Sequence, residues 1–229
     1  MKKLSVIIPV LNEEKTLEEI VRRVRAAPFP LEKEMLIVND ASTDGTREIL
    51  DRLEADDDVR VFHHSVNLGK GAGIRTAQPH VTGDLVIVQD ADLEYYPEEY
   101  ELLAAPIFDG RADVTYGTRF LGTHRVFLYW HYLGNRFLTW VTNILYNTML
   151  SDMETCFKMC KGDIFRSLRL ETNRFGFEPE FTAKVFKRGY KVYEVPISYN
   201  GRGYEEGKKI TWRDGVAALY FLLKYRFGD

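Results

Sequence analysis

The chain has 229 residues, 45% apolar and 28% charged, which suits one large globular domain and excludes a disordered one. Its net charge of −3 removes the global basic field of a nucleic-acid binder, so any anion site is local and no nucleic-acid partner is expected. Cys156 and Cys160 lack the second pair that a zinc site needs, and read as packing in a reducing compartment.

Taken in chain order, the first half alternates. LSVII (4–8) is a strand, 13–27 a helix, EMLIV (34–38) a strand and 44–55 a helix. VRVFH (59–63) is a strand, 69–78 a short glycine-opened helix, DLVIVQ (84–89) a strand, 97–108 a helix opened by Pro97, and DVTYG (113–117) a strand. Near-continuous apolar strands alternating with helices predict an α/β fold with a mainly parallel sheet covered on both faces. The second half changes character. Residues 118–129 read as a loop, 130–150 as a long amphipathic helix and TCFKMC (155–160) as a short strand. A helix over 177–188, a strand over 190–198, a loop over 200–210 and a helix over 212–226 complete the chain.

No signal peptide is expected, because Pro9, Asn12, Glu13 and Glu14 cut the first apolar run short. The longest later run, 215–223, is about half of what a bilayer span needs. The aromatic stretch 126–150 is interrupted by His131, Asn135, Arg136, Asn143 and Asn147, and suits lying on a membrane more than crossing it.

In such sheets ligands bind beyond the carboxyl ends of the strands. Asp90 and Asp92 fall there after the fourth strand, Asp40 after the second, and Pro9 to Glu13 after the first. In an extended stretch, residues i and i+2 share a side, so Asp90 and Asp92 suit a hard divalent cation, Mg²⁺ or Mn²⁺. The plain reading of an isolated D-x-D is a solvated acidic turn. Asp40 is expected exposed on the ligand edge, with the following helix capped by Ser42, Thr43 or Asp44. A carboxylate so placed accepts N–H donors from a nucleobase. The glycine-rich NLGKGAGIR (67–75), with Lys70 and Arg75, suits backbone N–H groups near a phosphate, although a lone G-x-G is weak evidence. The histidines show no partner pattern.

The ordered motifs SVIIPVLNEE, IVNDASTDGT, NLGKGAGIRT, VIVQDADLE and YGTRF resemble the family 2 glycosyltransferases, and within them the dolichol-phosphate mannose synthases and related polyprenyl-phosphate glycosyltransferases. DMETCFKM (152–159) and 175–199 extend the likeness to most of the chain. The resemblance implies a GT-A nucleotide-diphospho-sugar transferase fold as one domain over 1–229, with a nucleotide-sugar-binding half (1–120) and an acceptor half (121–229). It implies an inverting, Mg²⁺- or Mn²⁺-dependent transfer of a hexose from a GDP- or UDP-linked donor. By position, Pro9, Leu11, Glu13 and Asp40 surround the nucleoside. Asp90 contacts the ribose or the metal, Asp92 ligates the metal, and Glu94 joins the metal shell where the mannose synthases usually carry Gln. Arg119 meets phosphate, and Lys208 and Lys209 lie in a basic loop that closes over the site.

The acceptor expected is a polyprenyl or dolichyl phosphate. An alcohol acceptor needs a general base, whereas an ionised phosphate needs cations. Asp152, Glu154, Glu178 and Glu180 match no clean base motif, and Arg119 with Arg125, Arg136 or Arg202 supplies cations. The expected location is cytoplasmic, with peripheral docking on the cytoplasmic membrane face left open. A soluble hydroxyl acceptor stays open as an alternative, as do a sugar-nucleotide pyrophosphorylase and a non-catalytic nucleotide-sugar binder.

Overall fold

The structure is a computed structural model that describes residues 1–126, 128–203 and 212–228. Strands β1 (Lys3–Val10), β2 (Glu32–Asn39), β3 (Val59–His63) and β4 (Leu85–Val88) alternate with helices α1 (Leu17–Ala26), α2 (Thr46–Leu53) and α3 (Lys70–Ala77). A 3₁₀ turn at Pro97–Glu99 leads into α4 (Tyr100–Phe108), and β5 (Val114–Thr118) follows. The second half holds α5 (Tyr129–Tyr146), β6 (Lys158–Lys161), α6 (Gly162–Ser167), α7 (Phe177–Lys187), β7 (Val192–Pro196) and α8 (Trp212–Phe227). Lys208 and Lys209 lie outside the described residues.

The described strands form one sheet in the order β3-β2-β1-β4-β6-β5-β7, which draws on both halves of the sequence. All neighbours pair in parallel except β6, which runs antiparallel to both β4 and β5. The mainly parallel α/β architecture is therefore as expected. The apolar residues of β1, β2 and β4 are buried on both sides of the pleat, which requires helices on both faces.

Several boundaries differ from expectation. The short strand expected over 155–160 starts later, at Lys158, because Asp152–Phe157 make tertiary contacts rather than a ladder. Helix α6 is an addition; its six residues are too few to show a period. Pro9 lies inside β1 and not beyond it. The ring is tolerated because β4 pairs with β1 only as far as Ile7, so the missing N–H breaks no bond on that side.

The antiparallel direction of β6 positions the site. The residues before it emerge at the carboxyl ends of β4 and β5, so 152–157 join the loops after β1, β2 and β4 along one edge.

Candidate functional site

The loops at this edge are held tightly. Asn12 and Ala41 take left-handed conformations, φ +53° and +60°, and Leu93 does so after β4 at +63°. For Ala and Leu that conformation costs on the order of 1 kcal/mol or more, so the surrounding contacts must impose it. They do: Asn12 N–H donates to Ser42 Oγ, Thr43 N–H to Asn12 Oδ1, and Glu13 N–H to Thr46 Oγ1. Asp44 accepts from Thr46 and Glu14 N–H, which makes it the helix-start acceptor among the three expected.

Asp40 is not exposed. It is 3% accessible, and its carboxylate accepts Leu68 N–H (2.8 Å), Gly69 N–H (2.7 Å) and His64 Nδ1 (2.8 Å). The far nitrogen of His64 meets Thr76 Oγ1 at 2.9 Å. Asp40 thus fixes the loop into α3, and His64, which had no pattern in the sequence, is its partner. The glycine-rich segment is also reassigned. Gly71 and Ala72 N–H donate to the carbonyls of Arg174 and Asn173, so these donors are not turned to a phosphate. Gly69 is required by φ +94°, and a Cβ on Gly71 would stand 2.6 Å from Thr172 O.

Asp90 and Asp92 do not lie in an extended stretch, because β4 ends at Val88 and the chain turns at Ala91 and Asp92. They meet different cations. Lys70 Nζ bridges Asp90 (2.9 Å) and Glu178 (2.9 Å), the latter from the first turn of α7. Arg202 reaches Asp92 at 3.0 Å and Glu13 at 3.3 Å, and its Nε is 3.6 Å from Glu94. Glu94 accepts Tyr199 Oη–H and Arg202 N–H, both at 2.6 Å, so its carboxylate is already held by protein donors rather than turned to a metal. Burial, then repulsion from Asp90 and Glu94, pushes the Asp92 carboxyl up to about 7, with Arg202 acting against the rise.

Among the described residues no group of three side chains stands ready to enclose a metal. The chemistry of the donor set nonetheless fits Mg²⁺ or Mn²⁺. The donors are carboxylate oxygens, Asp92 lies among like charges, and a guanidinium occupies the position of a stand-in cation. One or two carboxylates with substrate phosphates is the usual set for Mg²⁺.

Arg119 corrects another expectation. Its Nε and Nη2 bind Asp152 at 2.7 and 2.8 Å, and Asp152 is fully buried. Burial opposes the Asp152 carboxylate, but Arg119 outweighs it and holds its pKa below the ordinary value. The pair is a neutral unit under Tyr199, with the guanidinium 5.2 Å from the ring centre, and not an open cation. Arg125 and Arg136 are exposed, and donate to the carbonyls of Gly201 (3.3 Å) and Ser151 (3.2 Å). Pro9 is half-buried with Gly73 behind it, and Leu11 and Glu13 follow at the mouth. Structure therefore joins Glu13, Asp92, Glu94 and Arg202 in one cluster and Lys70, Asp90 and Glu178 in another. Cys156 and Cys160 are buried and unbridged, as packing requires.

Comparison with known proteins bears on the family and the fold. A stretch of 114 residues is 40% identical to undecaprenyl-phosphate 4-deoxy-4-formamido-L-arabinose transferase of Salmonella paratyphi A, and to the same degree to that of Salmonella dublin. The stretch is 48% of this chain and 35% of the relative, so the chain matches well under two thirds of those proteins. Solved structures of glucosyl-3-phosphoglycerate synthase from Mycobacterium tuberculosis share the GT-A fold. One with Mn²⁺, UDP and phosphoglyceric acid has a TM-score of 0.73 at 18% identity, covering 100% of this chain and 80% of that one. Another, with Mg²⁺ and UDP, has a TM-score of 0.75 at 20% identity with the same coverage. The family description "Glycosyl transferase family 2" matches residues 5–171, most of the chain, and the chain belongs to that family.

Proposed function

We propose that the protein transfers a hexose from a nucleoside-diphospho-sugar to a polyprenyl phosphate, with a divalent cation on the diphosphate and inversion at the sugar carbon. The observation that carries the reading is the carboxylate edge beyond β4, where Asp92 is surrounded by like charge and met, among the described residues, by the Arg202 guanidinium. When bound, Mg²⁺ or Mn²⁺ supplies positive charge that stabilises the departing diphosphate. Asp92, with Asp90 beside it, would hold it.

The chain's own groups do the rest. Asp40 and His64 fix the loop into α3 and so the wall of the nucleoside pocket, next to Pro9, Leu11 and Glu13. Lys70 holds Asp90 in place through its bridge to Glu178. Arg202, which contacts Asp92 and Glu13, is the cation of this cluster that would face an anionic group of the donor. The bond from the anomeric carbon to the diphosphate oxygen breaks, and one from an acceptor phosphate oxygen to the opposite face of that carbon forms. An ionised phosphate carries no proton to remove, so the step needs no base.

The acceptor reading is supported by the Salmonella relatives, which are named for transfer to undecaprenyl phosphate. It is supported also by α5, which contains no Asp or Glu and exposes Trp130 (78%), Phe137 (52%), Trp140 (59%) and Ile144 (60%). Aromatic and basic residues without acidic ones suit the interface of an anionic bilayer. Among the described residues no helix is long and apolar enough to cross a membrane. Arg136 on α5 and Arg125 in the segment before it are exposed cations that would meet a lipid phosphate.

Radiolabelled sugar from UDP- and GDP-linked donors, offered with Mn²⁺ and a short-chain prenyl phosphate, tests the reading. Label should enter an organic-extractable product. Label passing only to a water-soluble acceptor would overturn the lipid-phosphate assignment.

A further inference from the structure

Two arginines at this edge are held in different ways. Arg119 grips Asp152 with two bonds of 2.7 and 2.8 Å, the length of a charge-assisted pair, and the Asp152 side chain has no exposed surface. Arg202 grips nothing so closely. Its Nη2 stands 3.0 Å from Asp92 and 3.3 Å from Glu13, its Nη1 is 3.4 Å from Glu13, and its Nε is 3.6 Å from Glu94. That Nε is buried and has no hydrogen-bond partner among the described residues. The guanidinium is thus held by the summed charge of three carboxylates more than by directional bonds.

The backbone that carries it is anchored separately. Tyr199 Oη–H and Arg202 N–H donate to the Glu94 carboxylate, and Asn200 N–H donates to the Glu94 carbonyl. Replacing the Arg202 side chain therefore leaves the strap 199–202 tied down. The cluster is also within reach of solvent, because the Glu13, Asp92, Glu94 and Arg202 side chains are between 10% and 22% exposed. Asp92 offers one oxygen to Glu94 N–H at 3.1 Å and the other to Arg202. A divalent cation on Asp92 and the guanidinium in its present place would be two like charges on one carboxylate, and they repel.

We propose that Arg202 is a built-in counter-cation that disfavours a bare divalent cation at Asp92 and admits it together with a diphosphate. This rests on the nucleotide-sugar reading. A diphosphate brings an anion for the guanidinium, and planar pairing with phosphate oxygens is a better bond than contacts of 3.0 to 3.6 Å. Metal and nucleotide then raise each other's affinity by the same factor.

Mn²⁺ binding followed by electron paramagnetic resonance tests this without turnover. The proteins are wild type, Arg202→Gln and the charge-keeping Arg202→Lys, each without nucleotide and with saturating UDP or GDP. Without nucleotide, Arg202→Gln should bind Mn²⁺ roughly tenfold more tightly than wild type, the scale of removing one like charge a few ångströms away. Arg202→Lys should stay close to wild type. Adding Asp92→Asn to Arg202→Gln should abolish the gain. The diphosphate should raise Mn²⁺ affinity by a larger factor in wild type than in Arg202→Gln. Arg202→Gln binding bare Mn²⁺ no more tightly than wild type would overturn the inference. So would equal tightening in Arg202→Lys, a gain that survives Asp92→Asn, or a diphosphate effect as large in Arg202→Gln as in wild type. Failure of wild type to bind Mn²⁺ even with UDP or GDP would instead overturn the metal and nucleotide reading, and the inference with it.

Discussion

The loops at the carboxyl ends of β1, β2 and β4 and the outer face of α5 are opposites. In the loops nearly every polar group is answered: Asp40 by two N–H groups and His64, Asp90 by Lys70, Glu94 by Tyr199 and Arg202. On α5, large apolar side chains are left to water, with Trp130 78% and Trp140 59% exposed. The first region is preorganised, so a ligand there replaces contacts that exist. The second is incomplete, so covering it lowers free energy directly. The contrast is what the proposed transfer, from a water-borne donor to a lipid-borne acceptor, asks of the two regions.

The largest expected effect falls on the preorganised side. Asp40→Ala strands Leu68 N–H, Gly69 N–H and His64 together. Since each unsatisfied buried group costs about 1–3 kcal/mol, urea unfolding should show a loss of about 3 kcal/mol or more. A loss below about 0.5 kcal/mol would mean that the loop into α3 is held by something else. On the incomplete side the effect should be on binding and not on stability. Trp130→Ser with Trp140→Ser should weaken sedimentation with anionic vesicles by roughly tenfold or more, from the apolar area withdrawn, and leave the melting temperature unchanged. Unchanged vesicle binding would separate the aromatic face from the membrane.

The smallest effect probes Glu154, whose Oε1 is buried without a hydrogen-bond partner among the described residues. Burial first, and the Glu178 charge second, push the Glu154 carboxyl up to about 7 from its ordinary 4.5. A carboxyl whose folded pKa is raised binds its proton more tightly in the folded state. Its contribution is therefore present below the ordinary value and lost as pH rises through about 7. Wild type should lose melting temperature relative to Glu154→Gln between pH 5 and pH 8, by roughly one to a few degrees. A difference that stays flat across that window would show Glu154 to be ordinarily solvated.

The sheet was legible where periodicity is local. All of β1 to β5 and most helices fall close to the segments that the apolar runs mark. The insertion of β6 between β4 and β5 was not legible, because its register is set by partners far apart in sequence. The D-x-D was legible in place but not in geometry: Leu93 at φ +63° and the turn at Asp92 come from tertiary contacts. The glycine-rich segment misled for a physical reason. A phosphate loop and a close approach to 172–174 both need glycine at Gly69 and Gly71, so residue type cannot separate them. His64 and Asp152 were missed as partners because each serves a residue 24 or 33 positions away. That Glu154 is an acid was plain, but its lack of a partner is a property of the folded chain.

The claim on which the rest depends is that the edge around Asp92 holds a divalent cation together with a nucleoside diphosphate. Thermal melting of wild type and Asp92→Asn, with UDP or GDP and with or without Mn²⁺, tests it most directly. The account predicts that diphosphate and Mn²⁺ together raise the wild-type melting temperature well above either alone. It predicts that Asp92→Asn folds and loses that joint rise. A variant that keeps the joint rise, or a wild type stabilised equally without Mn²⁺, would contradict it.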